Sequence, residues 1–428
     1  PRAVAPRPRT MAPPRPFGRW LGALQVAAVL GVALLVHGAG AVDAQRMAAS
    51  STAHLRAEAG GLVPRMFLLV SLPVERKVSY VELSNFKSVG GVVRPLVDSG
   101  LQNPRGIAYH DQDSTLFIAD SEQRKIFRYT LSVQPCPAAG CPCDAVGTTC
   151  GLKYQVTTTG NRLTIMEDVL TQWVTVDSDG NLFYSDQTTM SVNKLSAHTI
   201  MQVANGMVHP GDLHPTSESE AEALDASAAA TGSGAGTSLA ALAMYTAGES
   251  VHVGVPAGVV ADATEVYWAN QEGGAKTGTV GAGATAPQTP VLSNGSGAAP
   301  VFMTYKLADG VDAAYGIAQT DSLVIFTDNS NYVYCVPKSG SAGGRPTALT
   351  DGVLSPRGLV WDGSGTTFVA DSGSDTVFSL PTGQCSAGVP LQQAAYVHGP
   401  FGLALIKASA PVFQKAQASG ESWLSWMR

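Results

Sequence analysis

Residues 104–120 read PRGIAYHDQDSTLFIAD, and residues 356–371 read PRGLVWDGSGTTFVAD. Both carry an opening turn, an apolar burst, an Asp-bearing turn and a second burst that ends in Ala-Asp. A chain that repeats itself in this way is built from a structural unit, and a recurring period is the first feature to establish. Three more segments follow the template: QWVTVDSDGNLFYSDQTTMSVNKL from Gln172, AGVVADATEVYWANQEGG from Ala257 and YGIAQTDSLVIFTDNSNYVYCV from Tyr315. The aligned positions are Gly106, Trp173, Gly258, Gly316 and Gly358. The 42 residues between Gly316 and Gly358 set the unit, and the wider gaps hold insertions.

Each unit is β in character, because β-branched and aromatic residues come in short bursts between Gly, Asp and Ser turns. The first strand is apolar almost throughout, as expected of a strand covered on both faces. A unit of three or four such strands is the blade of a propeller. One blade alone leaves both faces bare, whereas a ring covers each with a neighbour. The termini supply the closure. GPFGLALI at 399–406 matches the turn and first strand of a blade with nothing after it, and FLLVSLPVERKVSYVEL at 67–83 matches strands two and three with nothing before it. These halves predict an all-β, six-bladed propeller over residues 66–408, its sixth blade assembled from both ends. Insertions are expected at 132–152, 205–250 and 272–300, after a linker at 45–65 and before a tail at 409–428.

These motifs resemble the YWTD propeller of low-density-lipoprotein receptors, the class B repeat, with NHL-type propellers close behind. The second-strand signature stands here as FIAD, FYSD, YWAN, IFTD and FVAD, and the P-x-G-[IL]-[AV] opening recurs at 104, 356 and, as PFGLA, at 400. The likeness covers about residues 66–408. It departs from the pattern at Trp173, which replaces a blade-opening glycine, and at Asn270, which replaces the signature Asp.

Asp120, Asp186, Asn270, Asp328 and Asp371 recur once per blade. A polar side chain at the same place in every blade reads as a lock that accepts backbone N–H bonds from the adjoining turn, and the resemblance implies the same role. Of six cysteines, Cys136, Cys141, Cys143 and Cys150 fall inside fifteen residues rich in Pro and Gly. Two local disulfides are expected there; a four-thiolate zinc site is the alternative, although C-x4-C-x-C-x6-C lacks the paired knuckles of common zinc modules. Cys335 and Cys385 are either a third pair or free thiols. Residues 216–238 have low complexity and no apolar periodicity. Asn294-Gly-Ser296 is a candidate N-glycosylation site.

At the N-terminal end, five arginines precede an uncharged run from Leu21 to Val36 and a small-residue stretch ending at Ala44, the layout of a signal peptide at 1–44; Met11 would open one of ordinary length. The apolar run is short for a membrane span, so an uncleaved signal anchor or a transit peptide are the alternatives. The expected location is therefore secreted or within the secretory lumen, with tethering to a membrane only through that segment. Without residues 1–44 the chain would keep 22 of its 27 basic and 32 of its 33 acidic side chains, a formal charge of −10. An acidic body argues against nucleic acid and against adsorption to anionic lipid.

Propellers bind ligands on the face made by the turns entering each innermost strand and the loops between strands two and three. Those turns carry Arg105, Tyr315, Arg357 and Phe401, with His398 nearby, and aromatic and Arg side chains are the usual anchors of protein interfaces. The leading reading is a non-catalytic module that recognises a protein or a glycan and needs no cofactor. The alternative is an enzyme, a calcium-dependent lactonase or esterase, or a strictosidine-synthase-like protein, of the kinds that six-bladed rings also host. Calcium would need several oxygens converging on the axis, and the innermost strands place no Glu there. No G-x-S-x-G, H-E-x-x-H or phosphate-cradling loop is present. His209 and His214 flank a low-complexity insertion, and Trp423, Leu424, Trp426 and Met427 give the tail an apolar end.

Overall fold

The second strand of each repeat is buried along almost its whole length, in TLFIAD at 115–120 and LFYSD at 182–186 completely so. A strand with both faces apolar is satisfied only between two other sheets, and the fold follows from repeating that demand six times. The computed structural model describes residues 65–408 apart from 89–90, 137–153, 217–240, 249, 251, 272–274, 287–302 and 340–343, all within the unit Val63–Arg428. The expected signal segment, most of the linker, Cys141, Cys143, Cys150, Asn294 and the tail fall outside the described residues.

In chain order the strands are Arg65–Leu72 (β1), Lys77–Ser84 (β2), Lys87–Ser88 (β3) and Arg94–Val97 (β4). The first blade is Pro104–His110 (β5), Thr115–Asp120 (β6), Lys125–Pro135 (β7) and Tyr154–Glu167 (β8). The second is Trp173–Val176 (β9), Leu182–Asp186 (β10), Ser191–Leu195 (β11), Pro215–Thr216 (β12) and Ala241–Thr246 (β13), with a helix Ala197–Ala204 (α1) between β11 and β12. The third is Pro256–Ala261 (β14), Glu265–Asn270 (β15), Gly278–Ala284 (β16) and Thr304–Val311 (β17). The fourth is Ile317–Gln319 (β18), Leu323–Thr327 (β19), Val333–Pro337 (β20) and Thr347–Thr350 (β21). The fifth is Pro356–Trp361 (β22), Thr366–Asp371 (β23), Thr376–Pro381 (β24) and Gln392–Tyr396 (β25), and Leu403–Ala408 (β26) ends the described chain.

Strand β26 pairs with β1, and β1 with β2, so the sixth blade is built from both ends. Its register sets Phe67 opposite Ile406 and Val70 opposite Leu403. Innermost strands β5, β9, β14, β18, β22 and β26 are successive neighbours, and β26 returns to β5. The ring is a closed six-bladed β-propeller. Six hydrophobic clusters fill the blade interfaces, one for each adjacent pair.

The insertions are smaller than the sequence suggests. The β7–β8 ladder continues to the pair Pro135 and Tyr154, so β7 takes in residues 132–135 of the span expected as an insertion at 132–152. Within 205–250, β13 is the fourth strand of the second blade, with β12 paired beyond it at the edge. Within 272–300, the glycine-rich Gly278–Ala284 is the third strand of its blade, paired residue for residue with Glu265–Asn270. Its glycines are there for space: a Cβ on Gly281 would stand 2.6 Å from Trp268 Cζ2, and one on Gly283 would stand 2.5 Å from Tyr245 Cζ. Large aromatic rings on neighbouring strands take the volume that side chains of β16 would otherwise fill.

A ring of backbone contacts joins the innermost strands at the end where they start. In the first, third and fifth blades, Gly106, Gly258 and Gly358 donate their N–H directly to Gln172 O, Tyr315 O and Phe401 O of the next blade, at 2.8, 2.7 and 2.8 Å. In the fourth and sixth blades a hydroxyl relays the contact. Gly316 N–H donates to Thr327 Oγ1, which donates to Arg357 O; Gly402 N–H donates to Ser71 Oγ, which donates to Arg105 O. The relaying residue occupies the small-residue position that precedes the signature acid in the fourth blade (Thr327 before Asp328) and precedes Leu72, with no acid, in the sixth (Ser71). It is Ala119, Ala269 and Ala370 where the bond is direct, and Ser or Thr where it is relayed. A Cβ on Gly106 would stand 2.6 Å from Gln172 O, and one on Gly358 2.5 Å from Phe401 O, so the close approach requires glycine. The second blade departs: Trp173 takes the glycine's place, and Ser185 Oγ, in the relay position, is buried without a partner.

Candidate functional site

The residue before each ring position points the six blades at one mouth of the central channel: Arg105, Gln172, Ala257, Tyr315, Arg357 and Phe401. With no glycine in the second blade, Trp173 enters this mouth and packs against Tyr315 and Phe401, ring centroids 5.3 and 5.2 Å away. All three aromatic residues are buried and close the channel. Over them lie two guanidinium groups, Arg105 on Phe401 at 4.9 Å and Arg357 on Tyr315 at 5.0 Å. Arg105 Nη1 donates to Gln172 Oε1 at 2.9 Å, Tyr315 Oη donates to the same oxygen at 3.2 Å, and Arg357 Nε donates to Ser372 Oγ at 3.2 Å. Those partners are neutral. Arg105 Nε is buried without a hydrogen-bond partner.

Arg105, Tyr315, Arg357, His398 and Phe401 come together in one recess of about 350 Å³, completed by Pro73, Val74, Ser372, Asp375 and Gly399. His398 is exposed, with Nδ1 3.1 Å from Asp375 Oδ1. The Gly399 N–H donates to the same oxygen at 2.8 Å, and together with the imidazole it holds the Asp375 carboxyl below the ordinary carboxylate range. Beside the recess Val74, Leu354 and Tyr396 are largely exposed, at 74, 60 and 64%. Among the loop residues of this face, Gln187 Oε1 accepts from Gln172 Nε2 at 3.0 Å, which ties the loop to the mouth.

The once-per-blade polar residues are all buried. Asp120 accepts from the N–H groups of Gln102, Asn103 and Gln123 at 2.7, 3.0 and 3.1 Å, and from Gln123 Nε2 at 2.9 Å. Asp371 accepts from the N–H groups of Leu354, Ser355 and Gly373 and from Ser374 Oγ. Asp328 accepts from the N–H groups of Ser330 and Tyr332, and Asp186 from Thr188 N–H at 2.8 Å. Asn270 Oδ1 accepts from Gly254 N–H while its Nδ2 donates to His252 O and Thr279 Oγ1, two donations that a carboxylate could not make. A second set, missed in the sequence, holds the hairpin turns of the opposite face: Asp177, Asp262 and Asp362 each accept turn N–H groups, and Thr320 Oγ1 does so in the fourth blade.

A calcium ion on the axis at the strand-start mouth would meet the guanidiniums of Arg105 and Arg357. Gln172 Oε1 there already accepts two bonds. This mouth does not fit a divalent cation, which needs six or more oxygens. Among the described residues no three His, Cys, Asp or Glu side chains group closely enough to hold a metal. His209 Nδ1 accepts from Gly211 N–H at 3.1 Å and caps a short turn, and His214 is exposed.

Behind the aromatic plug the channel opens to the other face as a cavity of about 590 Å³. Its walls mix aliphatic side chains with Tyr109, Thr175, Gln319, Thr320 and Trp361, and its entrance carries Asp111, Asp262, Asp321, Lys338 and Lys407. Lys338 Nζ is 3.0 Å from Asp262 Oδ2. Burial pushes Asp262 up, but the Thr264 and Glu265 N–H groups and Lys338 outweigh it and leave the carboxyl below its ordinary value. Burial raises Asp111, against the pull of Lys407. Sequence reading missed both lysines, since one ends a third strand and the other follows GLALI, and neither belongs to a motif.

Cys335 and Cys385 form a disulfide with Cα atoms 5.7 Å apart, which ties the third strand of the fourth blade to a loop of the fifth. Cys136 is also disulfide-bonded.

No protein-family model and no curated protein sequence matches the chain. Among solved structures it is similar to a chain of the nidogen/laminin complex, at 12% identity and a TM-score of 0.50 over 80% of this chain and 98% of that one. It is also similar to the periplasmic gluconolactonase of Pseudomonas aeruginosa, at 12% identity and a TM-score of 0.43 over 81% and 100% of the two chains. At 12% identity the likeness to the first of these shows the propeller fold and nothing finer.

Proposed function

We propose that the chain is a YWTD-type propeller that acts as a non-catalytic binding module in an oxidising, secretory compartment, and that it recognises a protein partner through the recess at the strand-start mouth. One observation carries this reading: five residues from four blades, Arg105, Tyr315, Arg357, His398 and Phe401, converge on a single recess bordered by exposed Val74, Leu354 and Tyr396. Rigid aromatic and guanidinium groups with exposed apolar side chains at the edge have the composition of a protein interface centre. The same apolar edge favours a protein over a glycan. Two guanidiniums without a carboxylate partner among the described residues favour a partner that brings acidic or carbonyl oxygens. The disulfide supports the compartment, since such bonds persist where conditions are oxidising. The similarity to a propeller solved in a complex with laminin supports the class of partner.

The test is a comparison of variants. Tagged full chain should retain a partner from extracellular fluid, the double variant Arg105→Ala/Arg357→Ala should lose it, and Lys407→Ala on the opposite face should keep it. Retention by the double variant overturns the recess. Calcium-dependent hydrolysis of lactones or aryl esters by the wild type, abolished by chelation, overturns the non-catalytic reading. Binding to arrayed glycans with the same variant dependence replaces the protein by a carbohydrate.

A further inference from the structure

We propose that the central channel, entered from the face opposite the arginines, is a second binding site and that it takes a short uncharged saccharide. Trp173, packed against Tyr315 and Phe401, closes the channel at the strand-start mouth, so the site shares no entrance with the recess. The space behind it, about 590 Å³, lies within the range of small-molecule pockets, roughly 300–1,000 Å³. Equivalent positions of the blades show how it is lined. Counting from the ring position, the first wall residue is Ile, Val or Leu in every blade. The second is Ala in the first, fourth and sixth blades, which leaves the channel wide. At the third place the blades differ. Tyr109 and Trp361 stand on either side of the sixth blade and Gln319 in the fourth, all partly exposed, whereas the second and third blades carry Val176 and Ala261.

The turns beyond these strands carry the charges, and they divide into two sets. Asp177, Asp262 and Asp362, with Thr320, are committed to the hairpin turns they hold, and Asp262 also pairs with Lys338. Asp111, Asp321 and Lys407 stand one place further along, line the entrance and are exposed. Their side chains make no hydrogen bond or close ion pair with another described residue. Two uncommitted acids beside one uncommitted lysine disfavour an anion. Lys338 and Lys407 together disfavour a cation, and among the described residues no three His, Cys, Asp or Glu side chains group to hold a metal. A wall of mixed character disfavours a molecule that is apolar throughout. A neutral molecule rich in hydroxyls suits all of these groups. Carboxylates accept from its hydroxyls and an ammonium donates to them, and bonds to charged groups are the stronger kind. Tyr109 and Trp361 supply aromatic surface for the C–H face of a sugar ring.

The full chain, applied to a glycan array and mixed with lactose, maltose and cellobiose in saturation-transfer NMR, tests the site. The wild type is expected to bind uncharged terminal sugars. Transfer to a free disaccharide that also competes on the array makes free sugar a ligand, and array binding without it assigns the channel to the ends of attached glycans. Asp321→Ala removes a charged acceptor at the entrance and should weaken binding about tenfold. Val260→Phe adds bulk from the wall and should abolish it. The double variant Arg105→Ala/Arg357→Ala should bind sugar as the wild type does, which separates this site from the recess. Circular dichroism and melting curves show which variants are folded. The proposal is overturned by a wild type that binds no uncharged sugar in either format or binds only anionic glycans. It is overturned equally by undiminished binding in a folded Val260→Phe or Asp321→Ala variant, or by loss of binding in the arginine double variant, which would move the sugar to the recess.

Discussion

The Gly402 N–H donates to Ser71 Oγ at 2.7 Å, across 331 residues of sequence. The same hydroxyl donates onward to Arg105 O in the first blade, so one side chain holds the two ends of the chain together and ties both to the next blade. Ser71→Ala leaves a buried N–H and a buried carbonyl unpaired and should cost about 1–3 kcal/mol. Thr327→Val should cost a similar amount in the fourth blade, where the relay is repeated. Ser185→Ala occupies the same place in the second blade but has no bond to lose, and should change stability by less than about 0.5 kcal/mol. Urea unfolding of the three variants checks the ranking; an equal loss at Ser185 would show that the relay is not what these hydroxyls contribute.

Restoring the repeat at its one break should harm the protein. Trp173→Gly supplies the glycine that the other blades carry, yet it empties the channel mouth between Tyr315 and Phe401. Loss of a buried Trp side chain costs about 3–5 kcal/mol where the surroundings cannot close in. In the opposite sense, Gly358→Ala forces a Cβ against Phe401 O and should cost about 1–3 kcal/mol. Thermal melts of both variants test this, and a Trp173→Gly protein as stable as the wild type would remove the plug from the account.

The buried acids should not be equivalent. Asp120 takes three backbone N–H bonds and one side-chain bond, while Asp186 takes one backbone bond. Asp120→Ala strands several donors and should lie at or above the upper end of about 1–3 kcal/mol; Asp186→Ala should lie at the lower end. Chemical denaturation of the pair decides it, and the reverse order would refute a hydrogen-bonding role.

Asp262 gives a pH dependence of known sign. Its carboxyl is held below the ordinary value of 3.8, so the folded chain binds that proton more weakly than the unfolded chain does. The stability it contributes is therefore complete above about pH 4 and is lost as the pH falls through the depressed folded value. Wild type and Asp262→Asn should differ in denaturation midpoint at neutral pH and converge on acidification below about pH 4. A gap that stays constant from neutral pH into acid would contradict the assignment.

Much of the fold is legible without coordinates, because its cause is local. A burst such as TLFIAD or LVIFT is apolar on both faces, and such a strand needs two sheets around it wherever it occurs. The two incomplete units at 67–83 and 399–406 show the closure for the same reason: each lacks the part the other has. The strand GTVGAGA was not legible as one. Read locally, five glycines and alanines among seven residues mark a loop, and only Trp268 and Tyr245 packing against Gly281 and Gly283 explain why a third strand here carries so few large side chains.

The candidate site divides along the same line. Arg105, Tyr315, Arg357 and Phe401 could be grouped in advance because a repeat places equivalent positions at the same end of a ring. His398 joins them in the recess through its contact with Asp375. Lys338 and Lys407 could not be grouped, since they meet Asp262 and Asp111 only across the channel entrance.

By itself the sequence determined the repeat, the number of blades and the way the ring closes, since these follow from patterns a few residues long that recur. Tertiary structure alone decided that Trp173 stops the channel, that Ser71 and Thr327 relay bonds where Ala119 and Ala370 do not, and that Cys335 joins Cys385. Those outcomes depend on how far apart two backbones stand once the blades are packed. Spacings between residues remote in the chain are set by the closed ring and are written in no single stretch of it.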